Sequence, residues 1–125
     1  MEKLIISEET ISGTNPITLL TLKGTIETTN ATTLEEVLVH ILSNDRYRIV
    51  VDLSEVSYIS SAGWGIFISE IKRVRRKRGD IKLAAMRAGV REVFDLLEFN
   101  NILQLYPGKG EAIRDFEAPV GAKVD

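Results

Sequence analysis

Two short apolar runs, Ile49-Val50-Val51 with Leu53 and then Ile81 to Ala84, enclose a stretch of helical spacing. That stretch starts near Ser61, runs to about Arg78 and stops at Gly79-Asp80. Continuous apolar runs of this length are what strands buried on both faces look like. A helix between two such strands makes a right-handed βαβ crossover, and the strands then lie parallel.

The rest of the chain extends this rhythm. Lys3 to Ser7 reads as a short strand. Ser12-Gly13-Thr14-Asn15-Pro16 is turn chemistry, and Ile17 to Leu22 is a second apolar and β-branched strand that Gly24 ends. These two strands are expected to pair as an N-terminal hairpin. Thr28, Thr29 and Asn30 are cap-type residues before a helix over Ala31–Ser43, which carries Leu34, Val37, Leu38, Ile41 and Leu42 at helical spacing. Ser54 to Ser60 reads as a connecting loop. Val90 to Phe99 reads as a third helix, Leu103 to Tyr106 as an edge strand and Glu111 to Phe116 as a last helical turn. The expectation is one α/β domain over residues 1–117, with a mostly parallel sheet of about five strands covered by helices. Residues 118–125 are expected to form a loose tail.

Open α/β sheets place their functional groups where a strand's C-terminal end meets the next helix. Here that junction is Asp52-Leu53-Ser54-Glu55-Val56-Ser57-Tyr58-Ile59-Ser60-Ser61-Ala62-Gly63-Trp64-Gly65. Ser61 stands where an N-cap is expected, and the exposed N–H groups behind it favour an anion. Ala62, Gly63 and Gly65 keep the first turn slim. One reading is a plain Ser cap on a helix that packs closely on the sheet; the other is a site that a partner approaches.

On a wheel of this helix, Gly63, Phe67, Ile71 and Val74 share the core face. Trp64 and Ile68 fall at its margin. Ile66 falls among Ser69, Glu70, Arg73 and Lys77, on the face expected to meet water. Two readings stand at this point. These residues form a docking surface beside Ser61, or Trp64 and Ile68 tuck under a neighbouring loop.

Taken together, Val50-Val51-Asp52-Leu53-Ser54-Glu55-Val56-Ser57-Tyr58-Ile59-Ser60-Ser61-Ala62-Gly63-Trp64-Gly65 resembles the STAS domain of bacterial anti-sigma factor antagonists. The family pattern there is apolar residues, Asp-Leu-Ser, then Asp-Ser-(Ser/Thr/Ala)-Gly-Leu-Gly. Gly24, Thr32, Leu34 and Val90-Arg91-Glu92-Val93-Phe94 also fit, so the resemblance spans about Leu4 to Tyr106. It implies that Ser61 is a phosphoacceptor and that a kinase-type anti-sigma factor is the partner. The unmodified protein would bind that partner, and a PP2C-type phosphatase would reset the switch. The implied partner surface is Ser60, Ala62, Gly63, Trp64, Gly65, Ile66 and Ile68. Two positions depart from the pattern: Ser60 replaces the Asp, and Trp64 replaces the Leu. The alternative within the family is an interaction subunit of a lipid-transport or stress-signalling complex, with Ser61 only a cap.

Charge is unevenly spread. Residues 1–71 hold 4 basic and 10 acidic residues, residues 72–91 hold 9 and 1, and residues 92–125 hold 3 and 7. The basic block peaks in Lys72-Arg73-Val74-Arg75-Arg76-Lys77-Arg78. Cations at a helix C-terminus oppose the negative end of the macrodipole, so this run is expected to be a solvated helix end with no part in binding at Ser61; six cations in seven residues exceed what capping needs, and an acidic partner surface, anionic lipid or nucleic acid are the alternative uses. The overall net charge of -2 argues against a general nucleic-acid coat.

An enzyme is not expected. His40 is the single imidazole and there is no Cys, which removes sulfur-based zinc sites and leaves little for a His-based base or metal site. No Gly-x-Ser-x-Gly, Walker A or Gly-x-Gly-x-x-Gly sequence is present, so no cofactor is implied. A nucleotide or small ligand at the Ser61 helix start is a distant third reading. The apolar runs fall short of the roughly 20 residues of a membrane span, and Met1 to Ser7 turns polar too quickly for a signal peptide. A cytoplasmic protein is therefore expected.

Overall fold

In a computed structural model of the protein, which describes residues 3–118, the five strands form one sheet in the order β1-β2-β3-β4-β5. The strands are β1 Ile5–Ile11, β2 Ile17–Ile26, β3 Arg48–Ile59, β4 Asp80–Ala84 and β5 Gln104–Tyr106. The helices are α1 Ala31–Ser43, α2 Ser61–Arg76, α3 Ala88–Leu96 and α4 Lys109–Glu117, with a short 3-10 helix at Phe99–Asn101. β1 and β2 form the antiparallel N-terminal hairpin; the other three pairings are parallel.

The sequential order decides where the helices go. Each right-handed crossover from β2 to β3, β3 to β4 and β4 to β5 moves one strand in the same direction. All three crossover helices therefore land on one face. Their apolar sides, including Leu34, Leu38, Phe67, Ile71 and Phe94, bury against Leu20, Leu22, Ile49, Val51, Leu53, Ile81 and Leu83. α4 follows the last strand and turns back over the other face, where Ala112 and Phe116 cover Ile17, Leu19, Val50 and Ala84. The alternation in β3 is visible here: Ile49, Val51 and Leu53 face one layer and Val50 the other.

Several segments differ from the sequence expectation, among them β1, which runs on past Ser7 to Ile11. Ser54 to Ser60 is not a loop, because β3 continues to Ile59 and pairs with β2 through Glu55↔Lys23, Val56↔Gly24 and Ile59↔Ile26. Ser54, Glu55 and Ser57 are exposed there, so only Val56 and Ile59 carry the apolar signal, and it does not read as a strand. β2 likewise passes through Gly24 instead of ending at it. α2 starts at Ser61 as expected but ends at Arg76, and α3 spans Ala88–Leu96, so the C-terminal end of α2 and both ends of α3 lie two or more residues from their expected places. The tail expected after Glu117 lies, beyond Ala118, outside the described residues.

Gly24 has φ +110 and sits where the β2–β3 register shifts. A Cβ there would run into the backbone carbonyl of Lys3. Gly24→Ala therefore meets both a left-handed backbone and a clash, and is expected to cost about 1–3 kcal/mol. Urea denaturation checks this; an unchanged midpoint would show that the bulge relaxes freely.

The Ser61 junction and its family

α2 starts directly beyond the C-terminal end of β3, at the end of the sheet where open α/β folds carry function. The cap is Ser60, not Ser61. Ser60 has extended backbone (φ -73, ψ 167), and its hydroxyl accepts a hydrogen bond from the Gly63 amide at 3.2 Å. Its own amide donates to the Ile26 carbonyl at 2.7 Å, which ties the helix start to the end of β2. Ser60 is buried. Ser61 is the first helical residue and is exposed, and its hydroxyl has no hydrogen-bond partner among the described residues. The expectation that Ser61 caps the helix is thus corrected by one position, and the correction leaves the Ser61 hydroxyl free. Two adjacent serines look alike in a sequence; only the backbone angles distinguish the cap from the first turn.

The next residues divide between sheet and solvent. A Cβ on Gly63 would lie 2.6 Å from Ile26 Cγ2 and 2.9 Å from Ile59 Cγ2, so the missing side chain is what lets α2 sit on the strand ends. Gly65 is exposed and a Cβ there would meet nothing within 4 Å. Trp64 is 2% exposed. Its ring packs against Phe99, Phe94 and Phe67, with centroids 5.1, 5.7 and 6.2 Å away. Of the two readings of Trp64, the tucked one holds: the segment after α3 covers it. Its indole N–H is buried without an acceptor among the described residues.

The face expected to meet water is also partly covered. Ile66 and Ile68 are half-buried and pack on the core. Glu70 is 3% exposed and accepts a hydrogen bond from Arg73 Nη1 at 2.9 Å. α1 packs against α2, a neighbour that a wheel of α2 alone cannot show. Of the expected partner surface, Ser60, Gly63 and Trp64 are buried and Ala62 and Ile66 half-buried. What reaches the surface around Ser61 is Gly65 and parts of Ala62, Ile66 and Ile68.

Ser61, Gly65 and Ile68 line a groove of about 640 Å³ between α2 and the segment after α3. Along α2 the groove runs from Ser61 and Gly65 past Ile68 to Lys72 and Arg76, with Leu97 and Phe99 on the other wall. Part of the basic run, Lys72, Arg73 and Arg76, therefore lines the same groove as Ser61. A larger cavity, about 720 Å³, lies at the opposite end of the parallel strands. Its charged groups are mostly engaged with one another. Lys82 is 2% exposed and donates to Gln104 Oε1 at 2.7 Å, Tyr106 Oη at 2.9 Å and Asp115 Oδ2 at 2.7 Å. Arg48 donates to the Phe116 carbonyl and to the Asn15 carbonyl. That cluster fastens α4 to the sheet. The Ser61 groove is the better candidate despite its smaller volume, because it lies at the C-terminal end of the parallel strands. The sequence signal for the cluster was a lysine inside the apolar run Ile81-Lys82-Leu83-Ala84.

The family model described as STAS domain matches residues 9–112. The chain belongs to that family. This STAS domain is 31% identical over 96 residues to BtrV of Bordetella bronchiseptica, assigned as an anti-sigma factor antagonist; the match covers 77% of this chain and 83% of BtrV. Among solved structures, one from Thermotoga maritima, assigned likewise, superposes with a TM-score of 0.80 at 20% identity, covering 89% of this chain and 95% of that one. The phosphorylated form of the Bacillus cell fate determinant SpoIIAA superposes with a TM-score of 0.66 at 14% identity, covering 88% and 99%. At those identities the superpositions establish a shared fold. They agree with the five-stranded, mostly parallel sheet and its N-terminal hairpin. No described helix of this STAS domain is long and apolar enough to cross a membrane.

Proposed function

We propose that this protein is an anti-sigma factor antagonist working in the cytoplasm. In this reading it binds a kinase-type anti-sigma factor while Ser61 is unmodified, and phosphorylation of Ser61 by that partner releases it. A PP2C-type phosphatase resets it. It acts by protein–protein contact and not by catalysis. The observation that carries the reading is the free, exposed Ser61 hydroxyl at the first position of α2, with capping handled separately by Ser60. The names of its relatives point the same way.

The physics of the switch follows from that position. A phosphate adds about -1.5 to -2 charges at neutral pH. At the start of α2 it meets the positive end of the helix dipole and free backbone N–H groups. The first turn of α2 contains no acidic residue to oppose it. The modification therefore need not unfold the domain; it places a charge in a contact shaped for a hydroxyl. The Ser60 cap is uncharged, where the family pattern has an Asp, so the kinase must select Ser61 without a neighbouring carboxylate.

Incubation with the kinase-type anti-sigma factor and ATP, followed by mass spectrometry, is expected to place phosphate on Ser61. Phosphate on Ser57 or Ser60 with Ser61 unmodified would sink the assignment. Ser61→Asp is expected to weaken partner binding by about 2 kcal/mol or more, as for a charge left unmatched in an interface, while leaving the melting temperature nearly unchanged.

A further inference from the structure

Ser61, Gly65, Ile68, Lys72 and Arg76 recur at three- and four-residue intervals, so one face of α2 carries all five into the same groove. The opposite wall is Leu97 and Phe99, and Leu97 is 52% exposed. Along α2 the groove thus passes from Ser61 over the apolar Ile68 to the cations Lys72 and Arg76.

The cations there are not equivalent. Arg73 is bound to Glu70 at 2.9 Å, and Arg75 reaches Asp80 at 3.2 Å. Lys72 and Arg76 make no hydrogen bond or ion pair among the described residues. A helix end needs only a few cations to offset its dipole. Arg73, Arg75 and Arg76 all stand in the last turn of α2. Lys72 and Arg76 differ from Arg73 and Arg75 in having no carboxylate partner among the described residues, and both line the groove that holds Ser61.

We infer that the groove receives an amphipathic segment of the anti-sigma factor, with apolar side chains on Ile68 and Leu97 and carboxylates at Lys72 and Arg76. This rests on the proposed function and extends the footprint from Ser61 along the whole of α2. Charge complementarity selects the occupant, since an apolar segment without acids would leave both cations unmatched in the contact. The segment must be long. From Ser61 to Arg76 the helix rises about 22 Å at 1.5 Å per residue. That exceeds the Debye length of about 8 Å at physiological salt, so a partner touching only Ser61 would not sense the cations. The two halves of the groove are therefore separately testable.

The test measures binding of the purified kinase-type anti-sigma factor to wild type, Ser61→Asp and the double variant Lys72→Glu with Arg76→Glu, at low and high salt. Both cations are exposed, so the double variant is expected to fold, and its denaturation curve confirms it. The expected result is at least tenfold weaker binding by the double variant at low salt, through slower association, with the gap narrowing at high salt. A Glu-to-Lys or Asp-to-Lys change in the partner's docking segment is expected to restore it. Unchanged binding by the double variant, with Ser61→Asp still defective, would overturn the extended footprint and leave the Ser61 reading intact. Weakened binding by the double variant with Ser61→Asp unaffected would support the groove and remove the phosphoswitch.

Discussion

Trp64→Ala is expected to lower the unfolding free energy by about 3–5 kcal/mol, the range for truncating a buried aromatic to Ala. The indole is 2% exposed and fills the space between α2 and the rings of Phe94 and Phe99. The change leaves a cavity under the groove. In a domain of this size the loss corresponds to a melting temperature lower by roughly 10–20 °C. Trp64→Leu, which restores the residue of the family pattern, keeps part of the volume and is expected to cost less. Partner binding by Trp64→Ala is expected to weaken only as far as Phe99 and Leu97 lose their seating. Urea denaturation of both variants decides the matter. A loss under about 1 kcal/mol for Trp64→Ala would show that the indole is not part of the core.

Asp115→Ala is expected to cost about 3 kcal/mol, the lower end of the range for breaking a buried ion pair from one side. The Lys82 side chain is 3% exposed and would keep its ammonium buried after the change. Its remaining partners are Gln104, Tyr106 and, at 3.6 Å, Asp80. The rings of Phe116 and Tyr106, at 4.6 and 5.2 Å, add weaker attraction. Tyr106 also donates to Asp115, and burial, that hydrogen bond and the nearby carboxylate all raise the phenol's pKa. It therefore stays protonated at neutral pH and holds α4 as a donor. Lys82→Met removes the buried charge instead of its partner. Asp115 is 22% exposed in its side chain and can turn to water, so this variant is expected to lose about 1 kcal/mol or less. The contrast is the measurement. Equal losses for the two variants would mean that the charge at Lys82 does not matter and only packing does.

Much of this architecture was legible before any coordinates. The apolar runs Ile49–Leu53 and Ile81–Ala84 had to be buried strands, and the helical period between them made their pairing parallel. α1 was placed to the residue, because Leu34, Leu38, Ile41 and Leu42 repeat cleanly and cap-type residues precede them. The far half of β3 was not legible. It pairs on one side only, with β2, and its outward residues are the polar Ser54, Glu55 and Ser57. A strand that is half edge carries half the apolar signal.

The site shows the same division more sharply. Periodicity and residue type put Ser60 to Gly65 at a strand-to-helix junction, and that is a local property of the chain. Which serine caps, and which keeps a free hydroxyl, is set by the hold of the Ile26 carbonyl on Ser60, a contact between β2 and the end of β3. Trp64 lies at the edge of a wheel, where burial depends wholly on what comes alongside. The segment after α3 does so, thirty-five residues later at Phe99, and makes the indole core. Glu70 is buried for the corresponding reason that a helix wheel has no neighbours. The sequence determined the elements, their direction and the junction. The tertiary structure decided which faces are covered and so which groups are left for a partner, because coverage depends on distant segments that no local pattern encodes.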